Sequence, residues 1–149
     1  SIDSSNKTLE SSKEQFINEF NKTIKLTEQA IEYLKNGKEY FLKMKKEYEN
    51  KKVLTDQFKK YLKQVLTLYL NIEENIINQN ILILGLIYPQ YMKLSHYLSN
   101  AEDILDIKSI EKLLDLLNNF FKADDSLLNY LNTIKNSRDR LNESSNTTG

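Results

Sequence analysis

The sequence predicts an all-α fold, an up-and-down four-helix bundle with interrupted or kinked helices. Two observations carry this. Apolar residues recur at alternating three- and four-residue steps along the chain, the period of amphipathic helices packed against one another. Every candidate break also falls inside a stripe that keeps its phase. At 149 residues the chain is long enough for a single buried core. A three-helix elongated rod is the alternative packing.

The ends, 1–7 and 144–149, read as flexible tails, rich in Ser, Thr and Asn without apolar residues at a helical period. Residues 8–143 form one bundle domain. Its first helix runs from about Thr8 to Glu49, with Phe16, Phe20, Ile24, Thr27, Ile31, Leu34, Phe41, Met44 and Tyr48 as core candidates. Asn36-Gly37 predicts a local break, because Gly in a helix interior costs about 1 kcal/mol against Ala.

Asn50-Lys51-Lys52 makes a polar corner. The second helix starts near Val53, with Thr55 or Asp56 able to cap it, and buries Leu54, Phe58, Tyr61, Val65, Leu68, Ile72 and Ile76. Ile81–Tyr88 is apolar on every side. Eight residues cannot span a bilayer, which needs about 20, so this run is expected at the centre of the bundle. Pro89 removes a hydrogen bond to Gly85 and clashes with its carbonyl, which predicts a kink or break there. A four-helix bundle turns near Pro89 or near Asn78-Asn80; the rod treats Pro89 as a kink.

Beyond Pro89 the stripe resumes at Tyr91, Leu94 and Leu98. Ser99-Asn100-Ala101-Glu102 fits a capping box opening a helix through Leu105, Ile110, Leu113, Leu114, Leu117, Phe120 and Phe121. Asp124, Asp125 and Ser126 either cap a further helix through Leu127, Leu128, Leu131, Ile134 and Leu141 or interrupt one collinear helix.

The stripes also carry polar residues, and Thr27, Thr67, Asn75, Gln79 and Asp124 are expected in the core. Arg138 lies on the core phase too. In a four-helix bundle it meets Glu10, Glu14 or Glu19; in the rod it meets Glu47, Glu49 or Asp56.

Composition excludes much chemistry. No Cys means no disulfide and no thiolate metal site. The single histidine, His96, cannot build a di-iron bundle, which needs two Glu-x-x-His motifs. The acidic pairs Glu73-Glu74, Glu102-Asp103 and Asp124-Asp125 point about 100° apart on a helix and read as solvated faces or caps. The chain reads as a non-enzyme with no cofactor and no small-molecule substrate. Its 21 basic and 21 acidic residues balance, which argues against nucleic-acid binding. It is expected to be a monomer. Sequons occur at Asn6, Asn21, Asn142 and Asn146, where roughly two are expected by chance in so Asn-rich a chain, so chance explains most of them.

The balance is not local. From Lys35 to Lys63 there are ten Lys against four acids, beside Tyr40, Phe41, Tyr48, Phe58 and Tyr61. Lys43, Lys45, Lys46, Lys51, Lys52, Lys59 and Lys60 are therefore candidates to meet an anionic membrane or a protein partner. Ala101 to Asp125 holds seven acids against three Lys.

Lys 19, Asn 17 and Ile 14 stand against Ala 3 and Arg 2, the usage of an AT-rich genome. The chain begins at Ser1, so an excerpt or processed form is expected, and a missing signal peptide carries no information. A Cys-free, AT-biased broken bundle with breaks at Asn36-Gly37 and Gly85–Pro89 and polar core positions resembles the family of the first sporozoite microneme protein essential for cell traversal of malaria parasites. The resemblance spans the whole chain. It implies a secreted or microneme, non-enzymatic factor used as sporozoites migrate through host cells, with no catalytic residues to carry over. An intracellular, spectrin-like helical scaffold or interaction module is the alternative.

Overall fold

The computed structural model describes residues 2–100 and 107–147. They form five α-helices: α1 (Ile2–Lys51), α2 (Asp56–Ile72), α3 (Ile81–Asn100), α4 (Ile107–Phe121) and α5 (Asp124–Thr147). A π-helical turn, Glu73–Ile77, extends α2. The fold is all-α, with no strand among the described residues.

Side-chain contacts fix the topology. Tyr48 of α1 packs on Phe58 of α2, with ring centroids 6.1 Å apart, so α2 runs back along α1. Tyr91 of α3 stacks on Tyr69 of α2, and the Tyr97 hydroxyl of α3 donates to the Ser109 carbonyl of α4 at 2.9 Å. The second half of α1 with α2, α3 and α4 is therefore the up-and-down bundle. Lys38 meets Asp124 and Asn21 meets Arg138, so α5 runs antiparallel to the first half of α1 beyond the bundle, as a two-helix stalk. The rod is excluded, because the chain reverses at 78–80.

Each turn has its own chemistry. Lys52, at φ 56°, closes α1: its N–H donates to the Tyr48 carbonyl at 2.7 Å and its ammonium lies over the Tyr48 ring. Of the two possible caps of α2, the structure uses Thr55. Its hydroxyl accepts from the Phe58 N–H at 3.0 Å and donates to Glu47 at 2.9 Å, satisfying an orphan donor of the first turn. Asn80 does the same for α3, accepting from the N–H groups of Leu82 and Ile83.

None of the expected breaks occurs at Gly37, Gly85 or Pro89, since α1 and α3 run through them as continuous helices. Gly37 is a packing site: a Cβ there would overlap the Phe121 ring. Gly85 has nothing within 4 Å of such a Cβ. It and Pro89 both lie on the exposed side of α3, so water can reach the carbonyl that Pro89 leaves unpaired. Helix also covers residues 2–7 and 144–147, where tails are expected from the composition. The acidic interruption is a two-residue turn at Lys122-Ala123, with the Ala123 N–H donating to the Phe120 carbonyl at 3.2 Å. Of the proposed capping box, Ser99 and Asn100 end α3; Ala101 and Glu102, like Leu105, lie outside the described residues.

The core follows most of the stripes, from Ile24 through Tyr48 on α1 and from Ile110 through Ile134 on α4 and α5. Phe16 is a correction. It is 62% exposed, because two stalk helices cannot enclose it. Thr67, Asn75 and Gln79 are exposed as well. On α2 the buried line is Phe58, Leu62, Val65, Tyr69, Ile72 and Ile76. That line passes beside Thr67 and Asn75, and the π turn then buries Ile76 and Ile77 side by side. The Thr67 hydroxyl simply donates back to the Lys63 carbonyl.

Thr27 and Asp124 are buried as expected. The Thr27 hydroxyl donates to the Thr23 carbonyl at 2.6 Å. Asp124, 8% exposed, is paired: the Lys38 ammonium donates to its two oxygens at 3.1 and 3.2 Å. Arg138 is half-buried near the start of the chain, as a four-helix bundle requires. Its partner across the stalk is Asn21, at 3.1 Å, and its carboxylate contact is with the adjacent Asp139, so the expected pairing with Glu10, Glu14 or Glu19 is not the one formed.

Two predictions follow from the α1–α5 joint and the bare side of α3. In urea denaturation of dilute protein, Gly37→Ala loses about 1–3 kcal/mol through overpacking against Phe121, whereas Gly85→Ala gains about 0.5–1 kcal/mol of helix propensity. Equal effects at the two glycines would contradict the packing described. In a double-mutant cycle, Lys38→Met and Asp124→Leu couple by about 1 kcal/mol, each single change costing more than its share of the pair. Strict additivity would show that the ion pair holds nothing.

Candidate functional site

The seven candidate lysines gather at the bundle end where α1 turns into α2. Lys43 and Lys45 are held by acids one turn away on α1, Glu39 at 3.6 Å and Glu49 at 4.0 Å. Lys43 also lies over the Tyr40 ring. Lys46, Lys51, Lys59 and Lys60 are exposed and make no ion pair among the described residues. Glu47 accepts from the Thr55 hydroxyl and forms no ion pair with these lysines. Leu42 and Val53 are exposed among these lysines. The arrangement is a positive cap with apolar side chains between its charges.

A second polar cluster sits at the π turn. Glu73 accepts from the Tyr91 hydroxyl at 2.6 Å and from the Tyr69 hydroxyl at 3.4 Å. Its neighbours Leu66, Leu70, Ser95 and Leu98 line a shallow cleft between α2 and α3. Burial, and then the hydrogen bond and charge of Glu73, hold the Tyr91 phenol above its ordinary range. Burial raises Tyr69 too, against a lowering contact from Ser95, and burial alone raises Tyr130. Glu73-Glu74 reads in the sequence as a solvated face or cap, whereas Glu73 is half-buried: Tyr69 stands one turn before it on the same helix, and Tyr91 comes from α3, eighteen residues on. The cluster locks the π turn to α3.

The third feature departs from expectation. The Ile81–Tyr88 run is not central: only Ile83 and Ile87 are fully buried. Ile81 is 80% exposed and Leu82 62%, and Leu86, Tyr88 and Met92 are exposed with them. A helix at the periphery of a bundle covers one side only, so an all-round apolar helix leaves the other in water.

Elsewhere the chemistry is sparse. His96 is exposed, and its carbonyl accepts from the Asn100 amide at 2.8 Å. No group of three His, Asp or Glu side chains able to hold a metal occurs among the described residues, and none of the described helices is long and apolar enough to cross a membrane. A concavity of about 750 Å³ along the stalk is lined by α1 alone, from Gln15 to Lys25, and is the flank of a helix.

The raised tyrosines set a pH dependence. A phenol raised in the folded state lets the unfolded chain ionise first, so its contribution is intact below about pH 10 and lost as pH rises beyond it. Thermal melts between about pH 8 and 11.5 should fall more steeply for the native chain than for Tyr91→Phe. Parallel curves would detach Tyr91 from that loss. No family model, curated protein or solved structure matches this chain.

Proposed function

We propose that this is a non-enzymatic binding protein whose lysine-rich end docks on anionic membrane surfaces. The observation that supports it is the group of exposed lysines without acidic partners, Lys46, Lys51, Lys59 and Lys60, set around exposed Leu42 and Val53. Each lysine near an anionic surface contributes about 1 kcal/mol, and apolar side chains between the charges can enter the headgroup layer. In the setting that the resemblance implies, a secreted factor acting as sporozoites cross host cells, this end is the part that would touch the host membrane. A second reading, a protein-interaction module, is favoured by the bare apolar side of α3.

Co-sedimentation tests the membrane reading. Binding to vesicles rich in phosphatidylserine should appear at about 0.05 M salt and fade near about 0.5 M, where the Debye length falls to a few ångströms. Lys51→Glu with Lys52→Glu should weaken it about tenfold or more while leaving the helical circular dichroism unchanged. Binding that is absent, or indifferent to salt and to these substitutions, would remove the lysine-rich end from the function.

A further inference from the structure

The bare side of α3 is the largest departure from what a solitary bundle needs. Leu82, Gly85, Leu86 and Pro89 follow one another at helical spacing along its outward face. Ile81, Tyr88 and Met92 flank them and are exposed as well. No charged residue occurs between Glu74 and Lys93. Together they present on the order of 600 Å² of apolar surface, at the top of the range for single patches on monomers.

We infer that this face is the interface of a homodimer, in which α3 of one copy packs antiparallel on α3 of a second about Gly85. Three properties select a second copy as the occupant. Doubling the patch gives about 1,200 Å², the lower bound of stable specific interfaces, so a single additional helix face of the same extent is sufficient. The patch is uncharged, so two copies meet without repulsion, and it offers nothing complementary to a charged partner. Gly85 has no neighbour within 4 Å of a Cβ, so a facing helix can approach its backbone closely, and the ridge Leu82–Leu86 can enter the groove beside Gly85–Pro89 of the other copy. Tyr88, with no hydrogen bond among the described residues, can supply a donor to the Gly85 carbonyl that Pro89 leaves unpaired. An interface this small binds in the micromolar range. The inference is independent of the lysine-rich end, which lies at the opposite end of the bundle from Ile81.

The full chain tests it directly. Sedimentation equilibrium from about 1 to 300 µM should show the mass rising from 17.5 kDa toward twice that value. Leu82→Glu with Leu86→Glu, both at exposed positions, should keep the protein monomeric with an unchanged melting profile in the dilute range. The chain has no cysteine, so Gly85→Cys introduces a single thiol into open space. Under mild oxidation it should form a disulfide-linked dimer at least tenfold faster than Asn136→Cys, an exposed position on the stalk. A constant monomer mass with equal cross-linking of the two variants would overturn the inference. So would a dimer that survives the paired glutamates, which would place the contact elsewhere. A chain that stays monomeric in water yet loses binding to uncharged phosphatidylcholine vesicles on Leu82→Glu and Leu86→Glu would assign the face to lipid and equally overturn the second copy.

Discussion

The close approach of α4 and α5 to α1 at Gly37 and Lys38 decides the shape of the molecule. Phe121, the last residue of α4, sits where a side chain at position 37 would be, and the next helix opens with Asp124 bound to Lys38. One residue of α1 thus receives the end of the bundle and the next receives the start of the stalk. The carboxylate is well placed twice over, against the ammonium and at the positive end of α5. Since the ion pair is nearly desolvated on the Asp124 side, losing one partner costs more than the pair itself contributes. The joint therefore sets the register of α5 on α1, and Asn21–Arg138 repeats that register farther out.

That joint also explains why Gly37 misleads when read from the sequence. Intrinsic propensity marks it as a break, and propensity is overruled by a tertiary contact that only a glycine admits. The stripes on α1, α4 and α5 were legible because each of those helices has a polar side: Ile24 to Tyr48 and Ile110 to Ile134 lie where the period puts them. On α2 the period places Tyr61 and Leu68 inside, whereas Leu62 and Tyr69 are the buried residues, and the same one-position offset carries Thr67 and Asn75 into the expected core. The π turn, where Asn78 N–H donates to the Glu73 carbonyl five residues back, adds a further shift that no 3.6-residue template anticipates. Of the candidate surfaces, the lysine-rich end was visible as a local excess of charge. The bare side of α3 was not, because apolar residues all round a helix say that it can be buried, not which side will be.

The two surfaces answer to different physics. In the proposed function, attraction at Lys51 and Lys52 is long-ranged and screened by salt, and it needs no fixed geometry. Along Leu82 and Leu86 it is short-ranged and close to independent of salt, and it requires a shaped partner. They are also separated in space, since the first lies where α2 begins and the second follows the turn where α2 ends.

What orients α3, then, is a question its apolar pattern leaves open. A helix with Ile83 and Ile87 on one side and Leu82 and Leu86 on the other gains similar hydrophobic energy in several rotations. Its hydrogen bonds remove that degeneracy. Tyr91 and Tyr97, six residues apart, lie about 120° from each other around the helix, one on each flank of the buried line Ile83, Ile87 and Leu94. Tyr91 reaches Glu73 on the α2 side at 2.6 Å and Tyr97 reaches the Ser109 carbonyl on α4 at 2.9 Å. Rotating α3 by one residue would break both bonds and leave half-buried Glu73 with only the longer Tyr69 contact, a cost of about 1–3 kcal/mol per group left unsatisfied. Two tyrosines accordingly choose the inner side of α3, and by choosing it they turn Leu82, Gly85 and Leu86 outward.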